Sequence, residues 1–448
     1  MGLMVTSVGQ KSPFQLSVEF LSNALAHYPR GDFQVRLWNG SIWGAEQQSR
    51  FTLVLKHPGA LREMFFSPSE LTLGECYIFG DFDIEGDIEA IFDLADYLLA
   101  QGSTGLRQSV HLASLLRGLP AREQAQTGRK AVALQGAVHS KDRDRRAISY
   151  HYDLPAEFYA LWLDQRMQYS CAYFAAGEEA DLETAQRCKL DYLCRKLRLR
   201  RGDRLLDIGC GWRGLLIHAA AHYGTQALGI TLSVRQAELA RQRIRDSGLN
   251  DSCRVEVCDY RDLKCDRQFD KIVSVGMFEH VGEKQLPEYF SRAWRFLRPG
   301  GAFLNVGISA SATYQRQGPS FIDRYVFPDG EPVPLNTSLA AAERSGFEVR
   351  DVESLREHYA LTLHHWVRRL EAHAEEVRRI TDESTFRIWR LYMAASEYAF
   401  RSNRTNLYHT LLAKPLHGDS GMPLTRADWY AGNGESEAES EFRTARRA

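Results

Sequence analysis

The stretch Leu205-Leu206-Asp207-Ile208-Gly209-Cys210-Gly211-Trp212-Arg213-Gly214 decides how this chain is read. An apolar run ends in a glycine turn, and the residues that follow, to His222, have the content of a helix. That order describes a buried strand, a tight turn and a helix, the opening βα unit of a nucleotide-type site. Glycine suits such a turn because φ is positive there, and because a Cβ would hold the backbone away from a ligand at the helix N-terminus. A dinucleotide loop has similar spacing, and Gly214 supplies its third glycine. The next strand, however, ends Gly229-Ile230-Thr231-Leu232-Ser233 and carries no acid for a ribose hydroxyl, which counts against NAD. Asp207, just before the first glycine, suits the ammonium of an amino-acid-bearing cofactor such as S-adenosylmethionine.

At 448 residues the chain is long enough for two or three domains. Its net charge of −1 provides no overall field for nucleic acid, so attraction to an anionic surface must come from local clusters. The eight cysteines are scattered, with no C-x-x-C pair and no secretory signal at the N-terminus, which points to reduced thiols in the cytoplasm. No apolar run approaches the ~18 residues that a bilayer span needs, so membrane contact is expected to be peripheral, at the inner face.

Upstream of the glycine stretch, residues 16–29 have helical spacing. Phe33 to Trp38 alternates, Asn39-Gly40 marks a hairpin turn, and Phe51 to Leu55 reads as a strand. A helix is expected near His57 to Met64, glycine turns with short apolar runs from Leu73 to Glu85, and a helix from Asp87 to Leu99. Residues 1–101 thus read as a small α+β domain. Residues 102–146 combine Arg107, Arg117, Arg122, Arg129, Lys130, Lys141, Arg143 and Arg145 with Val110, Leu112, Leu115, Leu116 and Leu119. Such a basic amphipathic linker would meet anionic lipid at about 1 kcal/mol per cation, unless it is an ordinary solvated linker. From Ile148 to Phe174 five tyrosines fall within 27 residues, for a cofactor, an apolar tunnel or core packing. Asp181 to Leu197 reads as an amphipathic helix.

From Asp203 to Val352 strands and helices alternate, which makes a parallel sheet with helices on both faces. Ligands then bind at the carboxyl ends of the strands. Those ends are Asp207 to Gly211, Thr231 to Gln236, Asp259-Tyr260-Arg261, and Met277-Phe278-Glu279-His280. From Glu357 to Leu412 the pattern is read as helical, and the polar tail after Asn433 as disordered.

The stretches YHYDL (150–154), YSCAYF (169–174), LDIGCGWRGL (206–215), GITLS (229–233), DYRDL (259–263), VGMFEHVG (275–282), HYALTL (358–363) and LLAKP (411–415) resemble the cyclopropane-fatty-acyl-phospholipid synthases, including the mycolic acid cyclopropane synthases. The likeness spans residues 33–415. It implies an α/β fold, the class I methyltransferase Rossmann-like seven-stranded sheet, with a small N-terminal α+β domain and helical C-terminal additions. Residues 147–415 would be the S-adenosylmethionine-dependent catalytic domain, and 416–448 a tail. The activity implied is methyl transfer to a cis double bond of an unsaturated phospholipid acyl chain, forming a cyclopropane.

The resemblance also assigns roles. Tyr169 and Ser170, with Gly209 and Gly211, would hold the methionine part of the cofactor, beside Asp207. Thr231, Leu232 and Gln236 would hold the ribose side, and Tyr260 and Arg261 the adenine edge. Relatives bind bicarbonate at positions that are Cys171, Glu279, Val306, Ile308 and Tyr359 here. The chain departs at Val306, where relatives have histidine, so the bicarbonate site is weakened and Glu279 or a water is left as base. It departs also at Arg213, usually glycine, and at Ser396, which rules out a covalent cysteine there. Phe278 and Tyr359 would face the carbocation that methyl transfer leaves on the chain. Loss of a proton from the new methyl closes a ring, loss from the chain leaves a methylated alkene, and a methylene-branched product results from another choice. A C-methyltransferase and a non-catalytic lipid- or cofactor-binding relative therefore remain as alternatives, and a homodimer is left open.

Overall fold

The computed structural model describes residues 11–44, 49–100, 106–122, 134–152, 154–212, 214–264, 268–313 and 320–430. Arg213, Cys265 and the polar tail lie outside them. The chain divides into two compact units: Met1–Val132 with Arg316–Pro328 and Leu370–Tyr398, and Ala133–Gln315 with Asp329–Arg369 and Ala399–Ala448.

The first unit is α+β. Strands β1 (Phe33–Arg36), β2 (Ile42–Gly44), β3 (Phe51–Leu55) and β4 (Phe82–Gly86) form one sheet in the order β2-β1-β3-β4. The Asn39-Gly40 turn, with Gly40 at φ 84°, folds β2 back on β1. Buried Arg390 explains why residues 370–398 return to this unit. It donates to the Tyr77 hydroxyl and the Ile84 carbonyl, each at 3.0 Å, and pairs with Glu371 at 2.7 Å. Arg387 beside it pairs with Asp83 at 2.8 Å.

The second unit contains β5 (Arg204–Ile208), β6 (Gln226–Thr231), β7 (Cys253–Val257), β8 (Phe269–Val275), β9 (Leu297–Ala310), β10 (Glu348–Ser354) and β11 (Thr405–Ala413). They form a seven-stranded sheet in the order β10-β11-β9-β8-β5-β6-β7. Leu205 and Leu206 on β5 are both fully buried, as a strand covered on both faces requires. The chain runs from β5 outward to β7 and then returns to lay β8 on the other side of β5. That reversal opens a crevice at the carboxyl ends of β5 and β8.

Three expectations are corrected. The helical reading to Leu412 fails at its end, because the helix Glu383–Arg401 stops before Asn403 at φ 59° and β11 follows. Paired on both edges, antiparallel to β9 and β10, β11 buries Leu411, Leu412 and Ala413, so it shows no alternation that would mark it as a strand. Residues Glu70–Ile78 form a helix where turns were expected. The Ser69 hydroxyl accepts from Thr72 N, and Gly74 is needed because a Cβ there would lie 3.0 Å from Phe321. The basic stretch, expected as a linker, contains the helices Leu106–Arg117 and Lys141–Tyr152, and several of its cations form ion pairs within the protein. Arg122 pairs with Asp81, Lys141 with Asp262 and Arg143 with Asp329. Arg129 and Lys130 lie outside the described residues.

Lys196, fully buried on the helix Leu182–Leu197, pairs with Asp351 at 3.2 Å and with Glu353 on the outer strand β10. Removing one partner of a buried ion pair costs about 3–5 kcal/mol, and the lower end applies here because Asp351 keeps Arg426 at 2.8 Å and Glu353 keeps the Tyr192 hydroxyl. Lys196→Met is therefore expected to lower the urea midpoint substantially, and an unchanged midpoint would contradict the packing described.

Candidate cofactor cleft and active site

The cleft forms where the glycine turn after β5 meets the ends of β6 and β8 and the loop after β7. Gly209 and Gly211 adopt φ of +83° and +51°. A Cβ at Gly209 would lie 2.7 Å from Met277 Cβ, so nothing larger than glycine fits. At Gly211 a Cβ would meet no protein atom within 4 Å, so the missing side chain leaves room for a ligand beside the turn.

All the residues expected to hold the cofactor line this one cleft: Tyr169, Ser170, Asp207, Gly209, Gly211, Thr231, Leu232, Gln236, Tyr260 and Arg261. Thr231 and Gln236 are already oriented, since their Oγ1 and Oε1 atoms lie 2.8 Å apart. Arg261 borders the cleft, but its guanidinium is engaged by Asp259 at 2.6 Å, Asp144 at 2.8 Å and the His139 carbonyl at 3.0 Å. It thereby fixes the helix Lys141–Tyr152, from which Asp144, Ile148 and Tyr152 reach the cleft wall. A glycine cradle, aromatic walls and buried polar groups of both signs fit an amino-acid-bearing nucleoside.

Sequence reasoning missed Lys189, Gln168 and Trp212, which line the cleft; of the strand end Met277-Phe278-Glu279-His280, Met277 and His280 line it. Lys189 left a signal: it falls on the apolar stripe Leu182, Ala185, Leu193, where a solvated lysine has no place. Burial holds the His280 imidazole neutral, with its pKa down at about 4.

The expected catalytic residues fall into two groups. Glu279 is in the short turn Phe278–His280 after β8, and its Oε1 accepts from Ile308 N of β9 at 2.6 Å. Phe278 packs against Gly307, where a Cβ would come within 2.8 Å of the ring. Glu279 Oε2 has no hydrogen-bond partner among the described residues, and burial raises this carboxyl's pKa to about 7. The other group is Cys171 and Tyr359, both buried around Leu355. Cys171 Sγ lies 3.2 Å from the Ala172 carbonyl and 3.9 Å from that of Leu355, and burial raises the thiol's pKa, keeping it protonated. Tyr359 packs on Phe400 at 4.5 Å between ring centroids. Leu355 N bonds Leu407 O, and Leu407 is the register partner of Ile308, so β11 connects the two groups.

Of the positions expected to hold bicarbonate, Ile308 N is spent on Glu279, the Cys171 thiol lies against backbone carbonyls, and Val306 has no side-chain donor. A histidine does occur across the ladder from Val306, on β11: buried His409, whose Nδ1 has no partner among the described residues.

Comparison with known proteins bears on the family and the fold. The family described as mycolic acid cyclopropane synthetase matches residues 139–410. A domain of unknown function (DUF7884) matches residues 20–101. A Pseudomonas putida protein named "Probable fatty acid methyltransferase" is 41% identical over 89% of this chain and 96% of its own length. The cyclopropane-fatty-acyl-phospholipid synthase of Escherichia coli K12 is 36% identical, over 64% of this chain and 72% of its own. Among solved structures, the mycolic acid cyclopropane synthase CmaA1 complexed with SAH and CTAB superposes with a TM-score of 0.57 at 31% identity, covering 60% of this chain and 97% of that one. With a family match over most of the chain and the sheet order of a class I methyltransferase, this protein belongs to the mycolic acid cyclopropane synthetase family of S-adenosylmethionine-dependent methyltransferases.

Proposed function

We propose that this enzyme transfers the methyl group of S-adenosylmethionine to a cis double bond of an unsaturated phospholipid acyl chain and closes a cyclopropane. The observation that carries this reading is Glu279, a buried carboxyl with one oxygen anchored and the other unpartnered, at the strand end next to the cofactor turn. Family membership supports the cofactor, and the names of the Escherichia coli and Pseudomonas putida relatives support a lipid acyl substrate.

The cofactor supplies an electrophilic methyl on a positively charged sulfur. The glycine turn and Thr231 with Gln236 orient it, while the aromatic walls from Tyr152, Tyr169 and Trp212 exclude water. When bound, the cofactor would give up its methyl to the alkene electron pair, the new C–C bond replacing the C–S bond and a cation being left on the acyl chain. Stabilisation of that charge is assigned to the rings of Phe278 and Tyr359, which lie outside the lining of the cofactor cleft itself. Glu279 Oε2 takes a proton from the new methyl, and the released C–H pair closes the ring.

The acyl chain is met at a bilayer surface. Among the described residues no helix is long and apolar enough to cross a membrane. Phe66, 50% exposed, sits between the guanidinium groups of Arg62 and Arg117, at 5.7 and 6.0 Å, which supports peripheral contact with anionic lipid.

A second reading, a fatty acyl C-methyltransferase leaving a branched chain, is favoured by the name of the Pseudomonas putida relative and by valine at position 306. Product NMR separates the two. Ring protons are expected, and vinylic or exomethylene protons would establish the branched-chain reading.

Glu279→Gln is expected to lower kcat by about 10²–10⁴-fold, the usual value of a positioned base, without weakening cofactor binding in calorimetry. The active form of Glu279 is the carboxylate, so with its pKa at about 7 the wild-type rate should fall as pH drops below that point. A flat profile from pH 6 to 8 would remove Glu279 from the base role.

A further inference from the structure

Lys189 is out of place in a cleft wall. It is 2% exposed, and its ammonium donates to Gln168 Oε1 at 2.8 Å and to Ser170 Oγ at 2.9 Å. An ammonium has three donors, both of these acceptors are neutral, and among the described residues no carboxylate forms an ion pair with it. Two carboxylates act on it from longer range, Asp164 and Asp207, together with the Cys171 thiol, and His409 is near enough to feel its charge. Asp164 accepts from Arg166 N at 3.0 Å and from Gln168 N at 2.6 Å. Asp207 is buried at the end of β5, in the wall of the same cleft. A buried cation with no carboxylate in direct contact is costly, and its place in a cleft wall suits an anionic group on the ligand.

We propose that Lys189 is the counter-charge for the carboxylate at the amino-acid end of the cofactor, opposite Asp207 at its ammonium. The proposal rests on the S-adenosylmethionine reading of the cleft. Lys189 also sets the role of Ser170: because the ammonium donates to Ser170 Oγ, the hydroxyl hydrogen is turned away from Lys189 and is directed to the same carboxylate. A zwitterion is thus read at both ends, which selects an amino-acid-bearing nucleoside over one carrying a plain amine. An inorganic anion such as bicarbonate or phosphate would offer Lys189 similar chemistry, so the test must separate the two sources.

Calorimetry at pH 7 on the full chain compares S-adenosylmethionine with its decarboxylated analogue, in wild type and in Lys189→Gln. Wild type should prefer the carboxylated ligand by about 10- to 100-fold, the value of a charge-assisted hydrogen bond. In the variant that preference should collapse while affinity for the analogue stays within a few-fold. Equal losses for both ligands would make Lys189 structural and overturn the proposal. So would tighter binding of the analogue on addition of bicarbonate or phosphate, with no preference for the carboxylated ligand. Failure of wild type to bind either ligand would overturn the cofactor reading itself.

Should the variant not fold, the same question can be put to wild type by NMR of the Lys189 ammonium. Desolvation lowers its pKa to about 8 in the free protein. An opposite charge favours the protonated form, so the midpoint should rise with the carboxylated ligand and not with the analogue. Equal midpoints in the two complexes would also overturn the proposal.

Discussion

The close approach of Met277 to Gly209 is the constraint on which the active site depends. With no Cβ at Gly209, the Met277 side chain occupies the space beside the turn, and a side chain there would stand 2.7 Å from it. Met277 caps the short turn that carries Phe278 and Glu279, so the cofactor loop and the carboxyl are set at adjacent strand ends. The next strand completes the arrangement, because Ile308 N of β9 fixes one oxygen of Glu279. Three neighbouring strands thus position the cofactor loop, the aromatic ring and the carboxyl, and a sheet of this kind holds such distances more firmly than loops do.

Burial gives the site its electrostatics. Lys189, Glu279, His280 and His409 are all removed from water, and in each the charged form is disfavoured. For His280 and His409 this means neutral imidazoles. For Glu279 it means a carboxyl whose pKa of about 7 suits proton transfer near neutral pH. Such groups cost stability in the free protein, a cost of the kind proteins accept at functional sites and offset in the surrounding core. That core is dense here: Leu206, Ile272, Tyr289, Phe290, Leu297 and Phe303 are all essentially inaccessible in one cluster behind the cleft.

Much of this was legible in the sequence because βα alternation follows simple periodicity. The glycine stretch located the switch point, and β5 and β8 end at the places where the residue pattern set the ligand-binding strand ends. The residues assigned to the cofactor came from the family resemblance; most lie at strand ends, which the topology gathers into one crevice, whereas Tyr169 and Ser170 reach it from the segment before the sheet. What was hidden depends on tertiary context. Strand β11 lies between two others and is apolar at its end, so it could not be told from a helix by period. Lys189 comes from a helix that precedes the sheet, and only its place on an apolar stripe gave it away. Arg261 was read as a ligand contact, yet its partners Asp144 and the His139 carbonyl lie more than a hundred residues away in the chain and leave no local trace.

If Gly209 and Met277 set the base within reach of the transferred carbon, the proton lost must come from the new methyl itself. Isotope retention reports this directly. Enzyme supplied with an unsaturated phospholipid and S-adenosylmethionine carrying a fully deuterated methyl should give a product that keeps two of the three deuterons, detected by mass spectrometry of the acyl chain. Retention of all three would show that the proton leaves from the chain, and would contradict the placement of the base.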